Sequence, residues 1–247
     1  MKLIVINRRF AFVILFVIIC FCGITYFATL SSGLPVANFD NSYKRSMLTL
    51  VIDPGPGGED GGSVSKNGTI ESNVNLSIAL KTEALCAFLG IEPVMTRETA
   101  EIDYPPDADT TREKKVADQK ARLALINNTS NAVLISIHQN CYTSSGPYGG
   151  QVLYAPTDGS REFGEYIQNI MLQHLITNNR RTAALISEDI YLMNNISCPA
   201  VLIECGFLSN ANEEQLLISD SYQLKIAAII ASSYNYNIDE LSSVYGG

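Results

Sequence analysis

From Leu48 to Tyr234 short apolar runs alternate with stretches whose apolar residues recur at helical spacing. This alternation constrains the fold more than any other feature, because strands that take turns with amphipathic helices build an α/β domain rather than an all-β one. Leu48–Ile52 reads as a strand running into a glycine-rich loop. Val74, Ile78, Leu85 and Leu89 keep the spacing of one helix face, and Gly90 supplies the stop. A strand over Ile91–Thr96 follows, then a loop with Tyr104, Pro105 and Pro106 and a helix over Arg112–Asn127. Val133–Ile137, Gly150–Tyr154 and Ala200–Ile203 read as further strands. Phe163, Ile167, Ile170, Met171 and His174 mark another helix face, and helices over Asn212–Leu217 and Tyr222–Tyr234 close the domain. No internal repeat is visible. The expectation is one three-layer α/β domain over residues 47–240, with a mostly parallel or mixed central sheet and helices on both faces.

Ahead of this domain, Phe10–Leu30 is 21 residues without a charge, preceded by Lys2, Arg8 and Arg9. That length crosses a hydrocarbon core as a helix, and the flanking cations favour a cytosolic N-terminus. Residues 1–30 are therefore expected to be a membrane anchor or a signal; an uncleaved anchor is favoured because no A-x-A-like exit stands near Ser31, Ser32 or Gly33. Residues 31–46, with Gly33 and Pro35 and no periodicity, read as a linker.

The formal net charge is −8, but residues 1–46 hold five cations against one anion, so the remainder carries −12. Such a body does not suit nucleic acid, whose binding rests on neutralising phosphates with Lys and Arg. Cys86, Cys141, Cys198 and Cys205 are scattered and form no CxxC pair, which argues against a disulfide scaffold or a cysteine-rich zinc module. Gly55, Gly57 and Gly58 lack the Gly-Lys-Ser/Thr of a phosphate loop and read as a tight turn.

Three apolar strands end in polar residues: Val-Ile-Asp-Pro-Gly-Pro-Gly-Gly (51–58), Ser-Ile-His-Gln-Asn (136–140) and Leu-Ile-Glu-Cys-Gly-Phe-Leu-Ser-Asn (202–210). In open α/β sheets ligands gather at this rim. A carboxylate or imidazole that ends a buried strand needs a partner, and a divalent metal is an efficient one.

Together with Glu71 at the start of the first helix, these segments resemble the zinc-dependent N-acetylmuramoyl-L-alanine amidases. The resemblance runs from about Leu48 to Tyr234 and includes Thr96-Arg97, Arg122 and the run Pro199 to Asn210. The apolar N-terminus, the single catalytic domain and Ile190-Tyr191-Leu192-Met193-Asn194-Asn195 are similar to the germination-specific branch of endospore formers. The resemblance implies hydrolysis of the amide between N-acetylmuramic acid and the L-alanine of the peptidoglycan stem peptide, in spore cortex maturation. It implies Zn2+ as cofactor, peptidoglycan as substrate, and a place on the extracytoplasmic face of the membrane or in the forespore intermembrane space, and it leaves open whether a helper protein takes part. By the family pattern Glu71 and His138 match metal ligands, Glu204 matches the base that takes a proton from the metal-bound water, and Arg97, Arg122 and Asn140 are candidate substrate contacts. Arg97 and Arg122 fit ion pairs that hold the sheet edge equally well.

The first metal ligand departs from the pattern, because Pro56 stands where the family has histidine. Proline offers no donor to a metal in any rotamer. Structural zinc binds with about 10–16 kcal/mol over four ligands, so one missing ligand costs about 3 kcal/mol, roughly a hundredfold in affinity. Glu59, Asp60 and Cys141 are the nearby residues able to substitute, whereas Cys205 alternates to the other side of the strand from Glu204. Two functions follow: an amidase impaired by Pro56, or a catalytically inactive homologue that binds peptidoglycan or a partner amidase. His174, on an apolar helix face, reads as a packing or partly exposed residue rather than a catalytic one, and Glu213 and Glu214 read as first-turn helix acids.

Overall fold

The computed structural model describes residues 48–175 and 178–245, which belong to a compact unit spanning Ser46–Gly247. The apolar run Phe10–Leu30 and the linker before Leu48 lie outside the described residues. Among the described residues no helix is long and apolar enough to cross a membrane.

In chain order the elements are β1 (Thr49–Asp53), α1 (Glu71–Phe88), β2 (Val94–Met95), α2 (Thr111–Asn128), β3 (Ala132–Asn140), β4 (Gln151–Tyr154), α3 (Ser160–His174), β5 (Ala184–Leu185), α4 (Tyr191–Asn195), β6 (Ala200–Phe207), α5 (Ala211–Leu217) and α6 (Asp220–Tyr245). The six strands form one sheet in the order β2-β1-β3-β6-β4-β5. All neighbours are parallel except β4 and β6, so the sheet is mixed.

Central strands covered on both faces read as continuous apolar runs, and β1, β3 and β6 do so. Leu50, Ile52, Ile135, Ile137, Val201 and Ile203 point to one face, where they pack with Ile78 of α1, Phe163 and Ile167 of α3, and Ile226, Ile230 and Tyr234 of α6. Val51, Leu134 and Leu202 point to the other, against Ile126 of α2 and Leu192 and Met193 of α4. Burying each such side chain contributes about 1.5–3 kcal/mol. The two-sided core fixes the strand register, because a slip by one residue would exchange the faces.

Local signals set the helix ends. Thr110 and Glu113 close a reciprocal capping box at the start of α2, and Asn210 caps α5. Gly90 takes φ +76° after α1, the left-handed conformation that ends a helix at little cost to glycine.

Some bounds differ from the sequence reading. The expected strand Ile91–Thr96 shrinks to Val94–Met95 at the sheet edge, where Pro93 cannot donate to a ladder. β3 and β6 run on to Asn140 and Phe207, and α6 continues beyond Tyr234. The short β5 and α4 were not expected. His174 is the last residue of α3 and is exposed, one of the two places the sequence reading left open for it.

Candidate active site

The register of the central sheet aligns three polar side chains. Glu204 of β6 pairs with His138 of β3 on one side and with Gln151 of β4 on the other. Residues directly opposite on neighbouring strands project to the same face, so His138, Glu204 and Gln151 form a row across three strands. The register between β3 and β6 shifts just beyond, between His138 and Asn140.

Glu71 joins this row from the first position of α1. His138 Nδ1 lies 3.1 Å from its Oε1, and the amide of Gln139 donates to the same oxygen at 3.3 Å. The amide of Ser63 donates to Oε2 at 2.8 Å, and Asn75, one helical turn on, donates from Nδ2 to Oε1 at 3.4 Å. Gln139 Nε2 in turn donates to Asn75 Oδ1 at 3.1 Å. Burial opposes ionisation of Glu71, but the bond to His138 and the amides of Ser63 and Gln139 outweigh it and hold the carboxyl below its usual range. Burial likewise opposes protonation of His138, yet the Glu71 bond and the charges of Glu204, Glu71 and Asp53 push its affinity for a proton up.

Glu204 behaves differently. It is half-buried, but its Oε2 is shielded from solvent and has no hydrogen-bond partner in the protein. Burial pushes its carboxyl up to about 7 and Glu71 adds to this, against the opposing charges of His138 and Arg181. A carboxyl that titrates near neutrality is suited to accept and return a proton.

The loop after β1 brings Pro56 to the same place. Arg97 Nη2 donates to the carbonyls of Pro54, Pro56 and Ser72 at 2.7, 2.8 and 2.9 Å, which ties the loop to the first turn of α1. Gly55 takes φ +57°, and a methyl group placed on it would lie 2.9 Å from His138 Cε1. A methyl on Gly62 would lie 2.6 Å from Glu71 Oε2 and 2.9 Å from Pro56 Cγ. The pyrrolidine ring and the Glu71 carboxylate thus both lie against Gly62, with Pro56 at the position the sequence pattern assigns to a third donor.

None of the substitutes fills that position. Glu59 pairs with Lys114, Asp60 with Lys115 at 3.0 Å, and Cys141 packs against the core. Among the described residues no group of three His, Cys, Asp or Glu side chains is placed to hold a metal ion. Glu71 and His138 are two donors, and the residues present do not fit a closed zinc site.

Arg97 and Arg122 are both engaged within the protein. Arg97 spends its guanidinium on loop carbonyls, and Arg122 is buried between Asp53 at 3.2 Å and Asp118 at 2.9 Å. The expected ion pairs are present at Arg122, whereas Arg97 makes hydrogen bonds to carbonyls and no ion pair among the described residues. Asn140 is half-buried, and its carbonyl accepts the Leu208 amide at 2.8 Å. Glu213 and Glu214 do more than favour a helix dipole. Glu213 accepts the amides of Gly149 and Phe207, and Glu214 accepts Ser65, Asn67 and Thr69.

Sequence reasoning passed over Asn75, Gln139, Gln151 and Arg181. Asn75 stood four residues from Glu71, a spacing that puts both on one helix face. Arg181 carried no signal, since it lies in a segment without periodicity.

Residues 50–235 match the N-acetylmuramoyl-L-alanine amidase family. The germination-specific N-acetylmuramoyl-L-alanine amidase of Bacillus subtilis is 34% identical over 182 residues, 73% of this chain and 76% of that protein. The CwlD amidase of Clostridioides difficile, solved in complex with the GerS lipoprotein, superposes with a TM-score of 0.73 at 36% identity, covering 80% of this chain and 99% of that one. A second amidase, from Clostridium difficile 630, gives a TM-score of 0.67 at 30% identity, over 78% of this chain and 98% of that one. With its fold, its strand-end residues and these relatives in agreement, the chain belongs to the N-acetylmuramoyl-L-alanine amidase family.

Proposed function

We propose that this chain acts at the junction between N-acetylmuramic acid and L-alanine in spore cortex peptidoglycan, and that Pro56 holds its hydrolysis of that amide low. The observation that supports this reading is the row of His138 and Glu204 with Glu71 beside it and Pro56 at the position of the third donor. In a complete family site zinc supplies an activated water. Here Glu71 and His138 are two donors of the three such a site needs, and they would hold a metal only weakly. Glu204 is the group that takes a proton from water and passes one to the departing amine; its shielded Oε2 suits that exchange.

The remaining parts of the proposal rest on the sequence and on relatives. The charge-free run Phe10–Leu30 anchors the domain on the extracytoplasmic face of the membrane, or in the forespore intermembrane space. The C. difficile neighbour assembles with a lipoprotein, and we extend a lipoprotein helper to this chain.

A second reading, an inactive homologue that binds peptidoglycan or a partner amidase, is favoured by Pro56 itself. One experiment separates the two. The full chain is incubated with purified cortex peptidoglycan at graded zinc concentrations, and new alanine amino termini are counted beside sedimentation of the bound protein. Slow release that rises with zinc supports the amidase. Sedimentation without release at any zinc concentration supports the binding protein, and neither binding nor release overturns both.

A further inference from the structure

We infer that Arg181 forms a carboxylate subsite that reads the stem peptide one residue beyond L-alanine. The inference rests on the functional reading above and adds a specificity-determining residue to it. Arg181 extends the row His138, Glu204, Gln151 by one member: its Nη1 donates to Gln151 Oε1 at 3.1 Å. Two further contacts fix the guanidinium. Nε donates to the Tyr148 carbonyl at 3.1 Å, and the guanidinium carbon stands 4.6 Å from the centroid of the Phe207 ring. The backbone beneath is also held, since Asn179 accepts the Arg181 amide at 3.0 Å and donates to the Gly150 carbonyl at 2.7 Å.

The charge of Arg181 acts on Glu204 and Glu213, but neither carboxylate reaches it as an ion pair. The other cations near the site are occupied: Arg122 by Asp53 and Asp118, Lys114 by Glu59, Lys115 by Asp60, and Arg97 by backbone carbonyls. Among the described residues no carboxylate stands within ion-pair distance of Arg181, and Nη2 has no protein acceptor. In a body that carries −12, a half-buried and immobilised guanidinium with free donors is preorganised for a carboxylate from outside.

The spacing suits the substrate. The second residue of the stem peptide is a D-glutamate joined through its side-chain carboxyl, so its α-carboxylate hangs free. Two extended residues span about 7 Å. Gln151 lies about 5 Å across the ladder from Glu204, and Arg181 is one hydrogen bond further. A scissile amide beside Glu204 therefore lays this carboxylate on Arg181, on the side away from His138.

The test compares two soluble probes by calorimetry with the full chain in detergent: N-acetylmuramyl-L-alanyl-D-glutamate and its α-amide, the D-isoglutamine form. The carboxylate form is expected to bind about tenfold more tightly, the lower range for a hydrogen bond to a charged group because the site is half-exposed. The preference should fall below about twofold in Arg181→Gln and Arg181→Ala and stay intermediate in Arg181→Lys. A purely structural Arg181 would weaken both probes together and leave their ratio unchanged, which overturns the inference. Equal binding of both probes to the parent chain also overturns it. If neither probe binds while intact cortex peptidoglycan does, the subsite falls and the function stands; if intact peptidoglycan is not retained either, both fall.

Discussion

Asp53 and Arg122 form a buried ion pair behind the site, with Arg122 Nη1 3.2 Å from Asp53 Oδ2 and Asp53 fully shielded from solvent. Ser136 and Thr96 donate to the same carboxylate at 2.6 and 2.7 Å. The pair joins the end of β1 to α2, so the loop that carries Pro56 leaves the sheet from a fixed point.

This pair makes the domain sensitive to acid. Burial alone would raise the Asp53 carboxyl, but Arg122, Ser136 and Thr96 bring it below its ordinary value of 3.8. A folded-state pKa below the unfolded one gives stability that is present above the unfolded value and is lost as pH falls through the folded one. Urea unfolding should therefore show a loss specific to Asp53 below about pH 4. Asp53→Asn should cost about 1.5–3 kcal/mol at pH 7, the worth of a hydrogen bond to a charged group, because Arg122 keeps Asp118 as its partner, and should lose less on acidification than the parent. Equal acid slopes in the two proteins would assign the sensitivity to other groups.

Glu214 governs the segment just before Glu71. Its carboxylate accepts Ser65 Oγ and Thr69 Oγ1 at 2.6 Å and Asn67 Nδ2 at 2.7 Å, which fastens the turn closed by the Val64 and Ile70 bridge to α5. Glu214→Ala removes the acceptor of all three and should cost about 1–3 kcal/mol. Hydrogen exchange should rise across residues 63–70 and leave β3 and β6 unchanged. Protection that falls evenly over the whole domain would mean that Glu214 supports the fold rather than this turn.

The sequence made the α/β class readable because β1, β3 and β6 are buried on both faces and their apolar runs need no partner to be recognised. Glu71, His138 and Glu204 were readable for a related reason, since each interrupts or follows an apolar pattern at the end of an element. Gln151 and Arg181 were not, because their place depends on the antiparallel register of β4 against β6, which no local pattern encodes. The contacts of Arg97 and Arg122 were not readable for the same reason: charge alone does not say which carbonyls and carboxylates the fold brings around a guanidinium. The two-residue β5 and five-residue α4 owe their form to packing beside β4 and on the face of α2, and carry too few residues for a period to show.

Pro56 sets the expectation for metal. With two donors in place, the protein should retain well under one equivalent of zinc after dialysis at neutral pH. Pro56→His should raise zinc affinity by roughly a hundredfold, the worth of one added ligand. Gly55 and Gly57 flank the position and let the loop accept the change. Metal analysis by atomic emission checks both statements. A full equivalent held by the parent would show that donors beyond Glu71 and His138 complete the site.

Glu204 is best tested in the Pro56→His background, where hydrolysis should be high enough to measure. Its Oε2 is shielded and unpartnered, and it sits opposite His138 in the sheet register, so that oxygen is not spent on any contact among the described residues. Changing Glu204 to Gln in that background keeps the size of the side chain and removes its ability to take a proton, so release of alanine termini should drop by about 10²–10⁴-fold. Zinc content and the binding of intact peptidoglycan should change little, because Glu71, His138 and the restored histidine remain. A drop in zinc content of the same size as the drop in rate would make Glu204 a metal ligand instead. Rates within about tenfold of the Pro56→His parent would mean that another group accepts the proton, since general bases contribute about 10²-fold or more.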